Sequence, residues 1–385
     1  MKEEYNTFSN TSKPKIVKIG QILHNDSVEI INLDTALESD IIKLNPDLII
    51  SDRGLEVPHL MEAPISLRKK WMDSSSNLHS DAIMNALIKD NRLISVFTSS
   101  YNIKSGIYET YESLRRQTYS NWEWVIVDDS DDDGETLKVI RSISDNDYRV
   151  KTYSFDIKSG GCIGESKYRA AMLCSGEYLV ELDHDDILTE DCLELIVRAF
   201  EENPEYGFVS SDVTEVDESG NSLVYPNGFS FGYSHHYNYY YDDKLYIPYT
   251  SPELNPQTIR HIVGVPNHVR AWRSNLYRYI GGHNRKMRIA DDYELIIRTF
   301  LNTKFMRIPK MLYIQKMNGK NSQDSSDNRK DIQIRVREIA NFYSHSIKTR
   351  FEQLGGVDYC YGVPLEVVYS TVYKDAPNYC KILSI

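Results

Sequence analysis

The alternation of apolar runs and helix-period segments between residues 92 and 202 predicts an α/β domain built on a doubly wound, mostly parallel sheet. Three observations lead there. Strand-like and helix-like segments follow one another four times in succession. The connecting lengths demand right-handed crossovers rather than hairpins. Each apolar run closes on polar residues, which is where ligands bind in such sheets.

The elements follow in order. "LISVFTSS" reads as a strand, and "GIYETYESLRRQ" as a helix whose Ile107, Tyr111 and Leu114 share one face. "WEWVIVDD" and "ETLKVIRSI" repeat the pair, as do "YRVKTYS" with "ESKYRAAMLC" and "EYLVELD" with "EDCLELIVRAFEE". Upstream, the runs "KIVKIG", "VEIINL" and "DLIIS", with the helical "TALESDIIKLN", predict a small α/β unit over 1–90. The polar "MDSSSNLHS" and a short helix "DAIMNALIKD" lead from it into the main domain, 91–325. Beyond it, "DNRKDIQIRVREIANFYSHSIKTRFEQLG" has helical periodicity and mixed charge, so 326–385 is expected to be a helical extension that packs on the domain or in a homo-oligomer.

Composition narrows the function. At 385 residues, 41% hydrophobic and 26% charged, the chain can bury a sizeable core. The net charge of −12 disfavours broad binding to a nucleic-acid backbone. No apolar run approaches the roughly 18 residues that span a bilayer, and "MKEEYNTFSNTSKPK" lacks the apolar core of a secretory signal, so a cytoplasmic protein without a transmembrane segment is expected. Five cysteines, odd in number and without a CxxC pair, argue against both a disulfide framework and a zinc site.

The strand ends carry the chemistry. Thr98, Ser99 and Ser100 close the first strand, Asp128 and Asp129 the second, and Asp183, His184, Asp185 and Asp186 the fourth. At least five carboxylates thus meet at one edge, and a divalent cation is the simplest way to keep them ionised together. Oxygen ligands suit Mg²⁺ or Mn²⁺. Because residues i and i+2 of an extended segment share a side, Asp183 and Asp185 can face one site while His184 points away. "DDSDDDG" imitates the start of an EF-hand loop, but Ile140 stands where a bidentate Glu is required. "SGGCIGESKYRAA" sets Gly160, Gly161 and Gly164 just before a helix whose first N–H groups could face an anion, with Lys167 and Arg169 in its first turns. A plain loop is an equal reading of those glycines.

"ISVFTSSYN", "WEWVIVDDSDDDG", "SGEYLVELDHDDILTEDCLE", "VGVPNHVRAWRSNLYRYIGGHN" and "ADDYELIIR", in that order, resemble the successive motifs of family 2 glycosyltransferases with the GT-A fold, over residues 92–325. The resemblance implies a nucleotide-sugar donor, a UDP sugar by preference. It also implies inverting transfer to a hydroxyl of a carbohydrate, protein or other acceptor. By position, Thr98, Ser99, Tyr101 and Asp129, with Asp128 beside them, would meet the nucleotide. Asp183 and Asp185, joined by Asp186, would serve the metal and diphosphate, with Gly161 and Lys167 near the diphosphate. The family usually carries Glu-Asp where this chain has Asp291 and Asp292, and the second member takes the acceptor proton, which implies Asp292 as base with Asp291 the runner-up. Asn318 stands where the family often has a late histidine, which puts that contact in doubt. The tyrosine-dense "YPNGFSFGYSHHYNYYYDDKLYIPY" suits an acceptor ring or a packed insertion equally.

Three other functions fit the sequence less well. A sugar nucleotidyltransferase would need a glycine-rich, arginine-containing loop after the first strand, which "TSSYNIKSG" lacks. A transferase acting on modified nucleic-acid bases would need a basic groove. A silent carbohydrate-binding scaffold would have no use for the DxD and late acidic pairs.

Overall fold

The computed structural model describes residues 92–225, 229–317, 326–371 and 375–385, together with four short strands nearer the amino terminus. The helices expected over 35–45 and 81–90, and Asn318, lie outside the described residues. The chain divides into two compact units, 1–93 and 94–385. In the first, β1 (Lys15–Ile19), β2 (Glu29–Leu33), β3 (Leu48–Ser51) and β4 (Trp71–Asp73) form an all-parallel sheet in the order β2-β1-β3-β4. Three of these strands are the apolar runs read from the sequence.

The second unit alternates as expected. β5 (Ile94–Ser100), α1 (Ile107–Arg115), β6 (Trp122–Asp128), α2 (Glu135–Ser144), β7 (Val150–Ser154), α3 (Ile163–Leu173), β8 (Tyr178–Glu181) and α4 (Cys192–Glu202) follow in order, with a short β9 (Ile187–Leu188) after β8. Four parallel strands run β7-β6-β5-β8 across this half. Both faces of β5, β6 and β8 are buried, as a crossover sheet requires, while β7 at the edge is only partly covered. Ile94, Val96, Trp124 and Ile126 face one core, while Phe97, Val125 and Val127 face the other.

The sheet continues with strands that the periodicity did not reveal. β10 (Tyr206–Val216), β13 (Arg270–Arg273), β14 (Lys304–Lys316) and β15 (Cys380–Ile382) extend it in the order β8-β13-β10-β14-β15. β13 runs antiparallel to both neighbours, so the sheet is mixed at its centre. Between β10 and β13 lie a small hairpin, β11 (Tyr239–Tyr241) and β12 (Lys244–Tyr246), and helix α5 (Pro256–His261). α5 is set by a capping box, in which the Asn255 side chain accepts from the Gln257 and Thr258 N–H groups. α6 (Ser274–Tyr279) and α7 (Asp291–Asn302) follow β13, and α7 buries Leu295, Ile296 and Phe300 against the second core. The carboxyl-terminal stretch is helical, as its periodicity implies: α8 (Ser326–Phe342), α9 (Ser344–Gln353) and α10 (Leu365–Ser370). Phe351 of α9 packs on Phe300 with ring centroids 4.9 Å apart, which docks the extension on the domain. Among the described residues no helix is long and apolar enough to cross a membrane.

Candidate active site

The parallel strands β5, β6 and β8 end side by side, and the polar residues after them meet as the topology demands. Much of the acidity there is spent on holding the edge together. Asp128 is buried, accepts from the Ser130 hydroxyl at 2.6 Å, and meets the Lys158 ammonium at 3.4 Å. Asp129 accepts from the backbone N–H of Ser159 at 2.8 Å and from its hydroxyl, which ties the second strand end to the start of the glycine loop. Tyr101 is half exposed; its hydroxyl donates to Asp131 at 2.9 Å and its N–H to His184 Nδ1 at 3.2 Å. His184 therefore bridges two strand ends. Ser99 donates to Ser166 of α3 at 2.6 Å.

Two of the expected ligands are engaged within the fold. Thr98 is buried, donates to the Leu182 carbonyl at 2.7 Å and accepts from Trp124 Nε1 at 2.8 Å, so its hydroxyl is a strut between strands. Asp186 turns inward. Its two oxygens accept from the Tyr313 hydroxyl at 2.7 Å and the Lys316 N–H at 2.8 Å, and burial, with the Asp183 and Asp185 charges, pushes its carboxyl well above the usual range. Both of its oxygens thus have partners within the fold.

The Asp183 side chain is 35% exposed at this edge, and that of Asp185 is 15% exposed, 4.0 Å from His184 Nε2. Two aspartates at i and i+2 are a hard oxygen donor pair, which fits Mg²⁺ or Mn²⁺ and not zinc. Among the described residues no three His, Cys, Asp or Glu side chains gather as a closed metal cage, so a cation held here would complete its shell with substrate oxygens and water. Beside the pair, the buried His268 ring stacks on Tyr313 at 4.4 Å and places Nε2 3.7 Å from Asp183 Oδ2. Burial and the Arg270 charge lower its pKa to about 4, so it is neutral.

Three of the first N–H groups of α3 already have backbone partners. The Gly164 N–H donates to the Met287 carbonyl at 3.1 Å, and those of Glu165 and Ser166 to the Cys162 carbonyl. The loop docks on the 284–288 segment. A Cβ on Gly164 would lie 2.1 Å from the Asn284 carbonyl oxygen, and one on Gly161, whose φ is +83°, would lie 3.1 Å from the Arg288 guanidinium. Arg169 pairs with Glu165 at 2.7 Å, and Arg285 reaches the same carboxylate.

Lys167 lies deeper than an anion-binding lysine needs to be. Its ammonium sits 2.5 Å from Glu181 and 3.3 Å from Asp183. Burial disfavours its charge, but Asp183 and Glu181 outweigh that and raise its pKa well above the ordinary value. Arg270 of β13 is also buried, 3.5 Å from Glu181 and 2.9 Å from Asp292. Asp291 and Asp292 open α7, where carboxylates are favoured by the helix dipole, and both lie at this centre. Their environments differ. Burial pushes the Asp291 carboxyl up against the pull of Lys167, and its Oδ2 lies 3.7 Å from His283 Nε2. Asp292 is 24% exposed, and although burial opposes its charge, Arg270 holds its carboxyl below the usual value. Glu181, His268, Arg270 and His283 were not anticipated. The available signal was a lone charge inside the apolar strand runs "EYLVELD" and "VRAW".

Residues 95–252 match the family model described as glycosyl transferase family 2. The chain carries a family 2 glycosyltransferase domain. That domain has the GT-A fold. The chain is 27% identical over 242 residues to the chondroitin synthase of Escherichia coli, covering 63% of this chain and 31% of the relative. It is 30% identical over 114 residues to the UDP-Glc:alpha-D-GlcNAc-diphosphoundecaprenol beta-1,3-glucosyltransferase WfgD of Escherichia coli, covering 30% of this chain and 43% of that protein. The match thus spans less than half the length of these relatives. Among solved structures, S. aureus TarS 1–349 in complex with UDP-GlcNAc superposes with a TM-score of 0.50 at 18% identity, over 71% of this chain and 76% of that one, which is a likeness of fold.

Proposed function

We propose that this glycosyltransferase domain is inverting and metal-dependent, and that it moves a sugar from a UDP-linked donor to a hydroxyl acceptor. One observation carries the reading: the DxD strand end and the acidic start of α7 belong to one buried charge network, running Asp183, Lys167, Glu181, Arg270, Asp292. A site for the leaving diphosphate and a base for the acceptor therefore share one centre. The names of the relatives and the UDP-GlcNAc bound by TarS support the choice of donor class.

The roles follow from position and charge. Asp183 and Asp185 would hold the divalent cation, which when bound supplies Lewis-acid stabilisation of the diphosphate leaving group. Lys167 adds a fixed positive charge beneath the same point. Tyr101 and Ser99, at the end of β5, face the nucleoside end of the site. Asp292 accepts the proton of the acceptor hydroxyl as its oxygen attacks the anomeric carbon from the side opposite the diphosphate, which inverts that carbon. Arg270 orients Asp292 and keeps it ionised, at some loss of basicity. The oxygen edge left open by Asp186 is two-membered, so substrate oxygens are integral to cation binding.

A panel of nucleotide sugars with Mn²⁺ or Mg²⁺, read by thermal shift and by donor hydrolysis with water as acceptor, tests this. We expect a UDP sugar to stabilise the protein more strongly with metal than without it and to be hydrolysed slowly. Binding that metal does not strengthen, or preference for another nucleotide, would overturn the corresponding part.

A further inference from the structure

Glu181 is the last residue of β8, two positions before Asp183 and fully buried. Such a carboxylate is costly unless cations meet it. Two do, from different elements. The register of β8 with β13 sets Arg270 directly opposite Glu181, and Lys167 comes from α3 above the sheet. Each oxygen of Glu181 faces one of them: Oε1 lies 2.5 Å from Lys167 Nζ, and Oε2 lies 3.5 Å from Arg270 Nη1.

Each cation also reaches a second carboxylate, and that second carboxylate is one the reaction uses. Lys167 lies 3.3 Å from Asp183, and Arg270 lies 2.9 Å from Asp292. Lys167 is closer to Glu181 than to Asp183. The ammonium is thus shared between Glu181 and Asp183 and lies nearer to Glu181. From this geometry, and resting on the function proposed above, we infer that Glu181 is a positioning residue that couples the metal-binding edge to the catalytic base, acting through Lys167 on Asp183 and through Arg270 on Asp292. Without its charge, Lys167 is left with Asp183 as its nearest carboxylate and competes with the cation, while Arg270 loses the anchor that fixes its guanidinium between two carboxylates.

The test compares Glu181→Gln and Arg270→Lys in the full chain. UDP affinity is measured by calorimetry with and without Mn²⁺, and kcat is measured for hydrolysis of the UDP sugar that the wild type turns over. Glu181→Gln should weaken Mn²⁺-dependent UDP affinity and lower kcat, each by about tenfold or more, as loss of a supporting partner typically does. Metal-free UDP affinity should not change. Arg270→Lys keeps the charge but cannot fork between two carboxylates, so it should lower kcat and leave Mn²⁺–UDP affinity unchanged. The inference is overturned if Glu181→Gln matches wild type in both readouts, or if metal-free and metal-dependent affinities fall together as they would from a distorted site. Should Glu181→Gln not fold, Arg270→Lys decides: a selective loss of kcat supports the coupling, and a wild-type kcat refutes it. Asp183→Asn and Asp292→Asn serve as references. If these two are also silent, the proposed function fails; if they are impaired and Glu181→Gln is not, only the coupling fails.

Discussion

Asp291 and Asp292 are adjacent, equally acidic in isolation, and separated in role by what surrounds them. Asp292 reaches solvent and is held ionised by Arg270; Asp291 is buried against His283 with its carboxyl pushed up. Asp292→Asn is therefore expected to keep Mn²⁺–UDP affinity and to lose transfer by a factor on the order of 10² or more, the usual share of general-base catalysis. Asp291→Asn should cost less in the same rate assay. The pH profile separates the two independently. A base with a depressed pKa is ionised throughout the neutral and mildly acidic range, so the rate should fall only below the free aspartate value of about 3.9. An acid limb above that value would point to Asp291. On the donor side, Asp185→Ala should abolish Mn²⁺-dependent UDP binding in calorimetry, since only Asp183 would remain of the DxD pair. Unchanged affinity would remove Asp185 from the metal site.

Among the elements, the junction of the glycine loop with the 284–288 segment is where local preference and tertiary contact disagree. Gly164 lies inside α3, where alanine is intrinsically favoured by about 1 kcal/mol. A Cβ there would nonetheless fall 2.1 Å from the Asn284 carbonyl oxygen, a backbone atom that cannot turn aside. Gly164→Ala is expected to destabilise by about 1–3 kcal/mol, the ordinary cost of overpacking, measured by denaturant unfolding. It should also weaken donor affinity, because the segment it displaces leads directly into Asp291 and Asp292. Equal or greater stability would show that the two loops are not held in register.

For the molecule as a whole, the division at Leu93 and Ile94 separates two units that each contain their own sheet. We propose that residues 1–90 are an accessory unit, separable from the chemistry. A chain starting at Ser80 should remain soluble and retain UDP-sugar hydrolysis. Loss of soluble protein would mean instead that the amino-terminal residues complete the core of the larger unit.

How far the sequence reaches is visible in particular residues. The strands and helices from Ile94 to Glu202 could be placed because their apolar periods of two and near four are local properties, and the acidic strand ends could be assembled because a crossover sheet puts every parallel strand end on one edge. Asp183 and Asp185 belong to such a strand end, whereas the α7 pair is singled out by its resemblance to the family's motif order. β13 is four residues long and reversed, too short for a period to declare itself, so only pairing with β8 and β10 decides that Arg270 stands opposite Glu181. Thr98 and Asp186 have the composition of ligands, yet their hydrogen-bonding capacity is taken by Leu182, Trp124, Tyr313 and Lys316, partners distant in sequence. The chain alone determined which chemical groups reach the edge. Tertiary structure decided which of them remain open to a substrate, because hydrogen-bond partners and burial are set by packing between segments that no local pattern connects.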